Sequence, residues 1–228
     1  MTLTDYEVYA RQSLEEFAAR KPAERFLLVE AVKDLKIERL LDLGCGAGQE
    51  ILPFLEKTSA FCVGVDIASE IGKVTRKIFS EKKRAVFIRA KGEKLPFADE
   101  SFELVLCRVA LPYMNNRQTI AEVARVLKKN GVFLLKTHAP EFYLAMMKAR
   151  LKTLNPKKMA YPIICLAGGL WHVLTGRQPE KGFWKGKEVF QTRRFLEKEF
   201  DRNKLKIERV LADDNPQTPS FFIVKRCS

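Results

Sequence analysis

The 228-residue sequence predicts an α/β fold, an open and mostly parallel sheet with helices on both faces. Three observations carry that reading. Short apolar runs alternate five times with stretches of helical period. The runs are apolar almost throughout, as strands covered on both faces are. The chain then ends in a helical stretch followed by two further strand-like runs, which brings the sheet to seven strands.

Two helices open the chain. Tyr6, Tyr9, Leu14 and Phe17 recur at roughly helical spacing, and after Pro22 the run AERFLLVEAVKDL repeats the period. Strands are expected at Ile37 to Leu43, Ala60 to Asp66, Ala85 to Ala90, Phe102 to Cys107 and Gly131 to His138. Between them QEILPFLEK, SEIGKVTRKIFSEKK and RQTIAEVARVLKK read as helices, the last stopped by Asn130-Gly131. Val189 to Phe200 is a further helix, and Leu205 to Ala212 and Ser220 to Cys227 are the last strands. Right-handed crossovers follow for the parallel part. Residues 139–188 are too long for an ordinary connection of about 2–6 residues. They read as a helical insert within one domain, with one helix through Phe142, Tyr143, Met146, Met147, Leu151 and Leu154 and a second from Tyr161 to Thr175. Such an insert is expected to cap a site or bind substrate.

Composition narrows the class. Apolar residues at 46% and charged residues at 30% suit a globular chain. The five cysteines are scattered, with no CxxC pair. That argues against a disulfide framework or a structural zinc site and for a reducing cytoplasm. The N-terminus does not read as a signal peptide, and no window reaches the ~18 apolar residues of a spanning helix. Net charge is +13, of which residues 140–212 supply +9. A basic surface attracts anions such as nucleic acid, phospholipid headgroups or acidic metabolites, although solvated lysines that only maintain solubility account for it equally well.

The chemistry concentrates in LLDLGCGAGQE, Leu40 to Glu50. A buried strand delivers Asp42, then Gly44-Cys45-Gly46-Ala47-Gly48, then a helix whose N-terminus presents free N–H groups. Asp66 ends the next strand, where open α/β sheets place ligand-binding residues, and can accept both hydroxyls of a ribose. The dinucleotide fingerprint GxGxxG fails, because its third glycine position is Gln49. An acid at Asp42 would repel a pyrophosphate but suits a cationic nucleoside without phosphates. S-adenosylmethionine is such a ligand.

On these residues the chain resembles the class I S-adenosylmethionine-dependent methyltransferases, in particular the group that includes ubiquinone and menaquinone biosynthesis methyltransferases. LLDLGCGAG matches the first motif, VGVDIA (Val63 to Ala68) the second, and GEKLPFADESFELVLC (Gly92 to Cys107) the third. The resemblance runs through about residue 138 and returns in the last helix and two strands. It implies a Rossmann-like sheet whose last strand is antiparallel, and S-adenosylmethionine as cofactor with S-adenosylhomocysteine as product. It implies cofactor contacts at Asp42, Gly44, Cys45, Gly46, Gly48, Asp66, Ile67, Gly92, Glu93 and Cys107. The position that often carries an adenine-contacting Asp is Lys91 here, which has donors and no acceptor.

A sulfonium methyl needs little beyond an aligned nucleophile and, for some acceptors, a base. His138, at the end of the fifth strand, is the candidate base; a hydrogen bond that orders the next loop is its structural alternative. Arg108, Tyr113, Trp171 and His172 are candidate substrate-binding residues, with Asn115 beside them, and Arg108 suits a carboxylate or phosphate. Tyr6 and Tyr9 are placed to close over the cofactor, and Phe183 and Trp184 to line an apolar pocket, unless they simply pack the core. The acceptor expected is a small molecule or lipid-like compound. Lys157, Lys158, Lys181, Lys185 and Lys187 of the insert offer contact with a membrane surface or, in the alternative reading of RNA or protein methylation, with a phosphate backbone. The region Val109 to Met114, VALPYM, only partly echoes the Asn/Asp-Pro-Pro-Tyr turn of base-methylating enzymes.

Overall fold

The computed structural model describes residues 3–151, 156–179, 182–184, 186–211 and 221–227. Lys181, Lys185, Leu154 and the predicted strand ends Ala212 and Ser220 lie outside the described residues, as do the side chains of Tyr6, Lys157 and Lys158. Among the described residues there are seven strands: β1 (Arg39–Leu43), β2 (Phe61–Asp66), β3 (Ala85–Arg89), β4 (Phe102–Arg108), β5 (Leu127–Lys136), β6 (Leu205–Leu211) and β7 (Phe221–Arg226). They form one sheet in the order β3-β2-β1-β4-β5-β7-β6. The first five are mutually parallel, and β7 runs antiparallel to both β5 and β6. This is the predicted sheet with its reversed last strand.

Eight α-helices surround it: α1 (Leu3–Ala19), α2 (Pro22–Ala31), α3 (Leu52–Lys57), α4 (Ile71–Ile78), α5 (Asn116–Val126), α6 (Pro140–Leu151), α7 (Pro156–Thr175) and α8 (Arg193–Arg202). The period-2 geometry of a strand divides the core into two layers. Leu41, Leu43, Val63, Val65, Val105, Phe133 and Leu135 face α5 and α8. Leu40, Cys62, Leu104, Leu106 and Leu134 face α2 and α3. Asp42 therefore shares the Leu40 side of β1, and it is the polar residue in that buried strand. Caps begin two of the helices: Asn115 accepts from the Gln118 N–H and Thr192 from the Phe195 N–H.

Several boundaries differ from the sequence reading, α8 starting at Arg193 instead of Val189 and α4 ending at Ile78 instead of Lys83 among them, and two have a plain local cause. The helix after the glycine loop starts at Leu52, not directly behind Gly48, and Pro53 sits in its first turn. Proline's fixed φ suits that turn, and its missing N–H costs nothing there. The helix expected to run to Lys129 ends at Val126 instead. Leu127 is buried and pairs with Phe102, which draws the chain into β5 early. The register then jumps, so that Leu104 faces Val132. Asn130-Gly131 serves this bulge: Asn130 adopts φ 61°, and a Cβ at Gly131 would lie 2.8 Å from the Lys128 carbonyl oxygen.

The insert carries both predicted helices, packed on each other. Its close fit depends on two glycines. A Cβ at Gly169 would overlap the Phe190 ring, and one at Gly168 would lie 2.8 Å from Trp184. These contacts fix which face of α7 is turned inward.

A contrast between two leucines tests this packing. Leu41→Ala should lower the unfolding free energy by about 2–5 kcal/mol, because it opens a cavity in a fully buried strand. Leu174→Ala, at a side chain 75% exposed, should change it by no more than about 0.5 kcal/mol. Urea unfolding of the two variants measures both.

Candidate active site

The site is built at the carboxyl ends of β1, β2, β4 and β5. After β1 the backbone turns through Gly44, Gly46 and Gly48, with φ of 71°, 51° and 79°. Those are left-handed values that side-chain-bearing residues resist. Gly44 also lies so close to the turn after β4 that a Cβ would overlap the Ala110 methyl. The loop is held from β2: Gly44 and Cys45 N–H groups donate to the Val65 carbonyl at 2.7 and 3.1 Å. Asp66 accepts from Gly46 N–H at 3.0 Å and from Ala68 N–H at 2.9 Å. Each carboxylate oxygen of Asp66 so retains acceptor capacity while it shapes the loop. The Tyr9 hydroxyl of α1 would lie 3.1 Å from a Cβ at Gly46, which puts Tyr9 over the loop.

Asp42 lies beneath this loop at 2% exposure, and its Oδ2 has no hydrogen-bond partner. Burial pushes its carboxyl well above the usual carboxylate range, and the charges of Glu50 and Asp66 push it further. A buried, unpartnered carboxyl is costly unless a ligand supplies donors or positive charge. An amino-acid or sulfonium cation does so. Glycines that open the backbone, an orphaned acid and a second acid at the next strand end form a donor and acceptor set that fits S-adenosylmethionine. Ile67 is exposed just beyond Asp66. Gly92 lies against Met114, whose sulfur would be 2.7 Å from a Cβ there. Glu93 accepts from the Asn115 N–H at 2.8 Å and so pins the turn after β4. Cys45 and Cys107 are buried; burial raises both thiols, Cys107 to about 12, so neither is a thiolate nucleophile.

Across the sheet from the loop is a second polar cluster, centred on Glu188. Its Oε1 accepts hydrogen bonds from the Tyr113 and Tyr161 hydroxyls, and its Oε2 from the Tyr143 hydroxyl and from His138 Nδ1, the last at 2.9 Å. These donors hold the Glu188 carboxyl down at about 2, although burial alone would raise it. The His138 ring stacks on Phe142 at 3.8 Å, with the planes 7° apart. Its backbone carbonyl accepts from the Gln191 N–H, and the Pro112 carbonyl from the Val189 N–H. The segment 188–191 thereby lies along the ends of β4 and β5. His138 and Tyr113 both reach Glu188. Glu188, Tyr143 and Tyr161 were missed, because nothing in their spacing joins one acid to three phenols from separate elements.

Other candidates go elsewhere. Arg108 is ion-paired with Glu50, which Arg20 also reaches at 3.4 Å, so it is not held ready for an anionic substrate. Lys136 joins this group, its ammonium lowered to about 8 by burial and by Arg108. His172 is buried against Phe195 of α8, 4.5 Å between ring centres, and burial lowers its pKa. Trp171 is 54% exposed on the opposite side of α7. Neither residue joins the Glu188 cluster. Trp184 packs on Gly168, with Phe183 edge-on at 5.4 Å and Lys187 over the Phe183 ring.

Comparison with known proteins bears on this geometry directly. Residues 41–135 match the family model described as a methyltransferase domain. A Bacillus subtilis protein named as the uncharacterized methyltransferase YcgJ is 38% identical over 119 residues, 50% of this chain and 47% of that one. A malonyl-[acyl-carrier protein] O-methyltransferase of Legionella pneumophila is 29% identical over 128 residues, 54% of this chain and 44% of that one. The chain spans about half the length of these curated relatives. The crystal structure of YcgJ superimposes with a TM-score of 0.58 at 21% identity, covering 90% of this chain and 95% of that one, and so shares the class I methyltransferase fold. The matched segment runs from β1 to β5 and contains Asp42, the glycine loop, Asp66 and Tyr113; His138, Tyr143, Tyr161 and Glu188 lie beyond it.

Two measurements probe the site. Asp66→Ala removes an acceptor worth about 1.5–3 kcal/mol and should weaken S-adenosylmethionine binding at least tenfold by calorimetry; an unchanged Kd removes Asp66 from ribose binding. For Glu188 the folded pKa is depressed, so its stabilisation is complete above about pH 5 and is lost as pH falls towards 2. The stability gap between the wild type and Glu188→Gln should shrink over that window in acid unfolding titrations. A gap that does not change with pH would show that the charge is not what the cluster uses.

Proposed function

We propose that the protein transfers a methyl group from S-adenosylmethionine to a small-molecule or lipid-like acceptor bearing a weakly acidic proton. The observation that carries the cofactor assignment is the buried, unpartnered Asp42 carboxyl beneath the Gly44–Gly48 loop, with Asp66 at the end of the neighbouring strand. When bound, the cofactor supplies an electrophilic methyl on a sulfonium. The chain's own residues then have two tasks. Asp42 and the glycine loop hold the cationic amino-acid end, and Asp66 receives the ribose hydroxyls.

His138 acts on the acceptor. Glu188 is held as a carboxylate, an acceptor only, so His138 Nδ1 carries the proton that lies between them. That tautomer leaves Nε2 with its lone pair, able to take the acceptor's proton. Stacking on Phe142 and the bond to Glu188 restrict both tilt and rotation of the imidazole. Glu188 thus sits behind the ring and orients it, as a carboxylate does behind a catalytic histidine. The three tyrosine hydroxyls keep Glu188 from taking the proton itself. α6 and α7 contribute two of them, which supports residues 139–188 as a cap over an apolar acceptor.

His138→Ala should lower kcat by about 10²–10⁴-fold while leaving S-adenosylmethionine affinity within twofold; unchanged turnover excludes it as base. For the acceptor class, the protein is incubated with methyl-labelled cofactor and a cell lysate. Label in the solvent-extractable metabolite and lipid fraction supports this proposal, and label in the RNA or protein pellet overturns it.

A further inference from the structure

The insert's outer face has a property the active site does not explain. α7 presents Ala160, Ile163, Ala167, Leu170, Trp171 and Leu174 to solvent along one side, with Leu170 at 55% and Leu174 at 75% exposure. At 100° per residue these six positions fall on one continuous stripe. No charged residue occurs between Met159 and Gly176. The opposite face is fixed inward by Cys165, His172 and the two glycines seated on Phe190 and Trp184, so the helix cannot roll to bury the stripe. Leu144 and Leu151 of α6 are exposed as well. Exposed apolar surface on this scale marks a docking face.

We infer that this stripe rests on an anionic lipid surface. Three features select that occupant. The stripe's side chains offer a single hydrogen-bonding group, the Trp171 indole N–H. A protein partner would ordinarily exchange about one hydrogen bond per 100–200 Å², whereas hydrocarbon requires none, and tryptophan favours the headgroup boundary. Exposed cations of the matching sign stand at the ends of the two insert helices. Residues 140–212 carry a net +9, with Lys148 in the last turn of α6 and Arg177 just after α7, both exposed. The same excess makes a second copy of this chain an unfavourable partner, since two such faces would repel. Finally, no described helix is long and apolar enough to cross a membrane, so α7 lies in the interface. The proposal does not depend on the methyl-transfer reading, but a cap resting on lipid would bring a lipid-like acceptor to the His138 side of the sheet.

The test is vesicle co-sedimentation of the full chain. Vesicles of phosphatidylcholine with one-third phosphatidylglycerol should retain the protein at least tenfold better than pure phosphatidylcholine, and 0.5 M salt should weaken retention. The double variant Leu170→Glu/Leu174→Glu should lose at least tenfold in retention, with an unchanged Tm and an unchanged Kd for S-adenosylmethionine. Tryptophan emission should shift to the blue on vesicle addition, and Trp171→Phe should abolish that shift. No retention on anionic vesicles, or retention indifferent to the double variant, overturns the inference. So does sedimentation equilibrium showing a dimer that the double variant dissolves, which would assign the stripe to a second copy. Cofactor binding measured on the same samples separates failure here from failure of the methyltransferase reading.

Discussion

Glu188 carries a full negative charge where burial works against it, and four elements of the chain meet because of that charge. Tyr113 comes from the turn after β4, His138 from the end of β5, Tyr143 from α6 and Tyr161 from α7. A lone buried carboxylate would be expelled or protonated; four donors reverse that preference and hold it at about 2. Because each donor belongs to a different element, satisfying the charge also fixes α6 and α7 against the sheet. Remove the carboxylate and three buried phenols lose their acceptor together, which makes this a cooperative joint and not four separate bonds.

The other side of the site follows an opposite rule. Asp42 is buried and left without a partner on Oδ2, so the protein carries a local cost that a cationic ligand would offset. The fold keeps the cations close by from relieving it. Arg20 and Arg108 are both committed to Glu50. Asp66 is also partly spent, yet on backbone N–H groups of the loop itself, so under the proposed function the residue that would meet the ribose also shapes the turn that would meet the rest of the cofactor. Loop geometry and ligand recognition are thus coupled through one carboxylate.

These features explain why some residues were legible in sequence and others were not. The glycine loop, Asp42 and Asp66 are fixed by local rules: positive φ demands glycine, and strand ends in parallel sheets are where ligands bind. The sequence left Arg108 open between an anion-binding group and an ion pair, because the partner that decides it, Glu50, is 58 residues away. Trp171 and His172 are adjacent in sequence, yet packing leaves Trp171 exposed and buries His172 against Phe195, so the two do not line one pocket. The early end of α5 also escaped local reasoning, since Leu127 follows good helix formers and is claimed by strand pairing with Phe102.

By itself the sequence determined the alternation of strand and helix, the glycine loop with its two acids, the insert and the basic excess within it. All of these depend on contacts within a few residues or on composition. Only the tertiary structure decided that Glu188 joins His138, that Arg108 is neutralised and that an uncharged helical stripe is turned outward. Each of those outcomes pairs groups distant along the chain, and such pairing is set by where rigid elements pack, a quantity that no local pattern encodes.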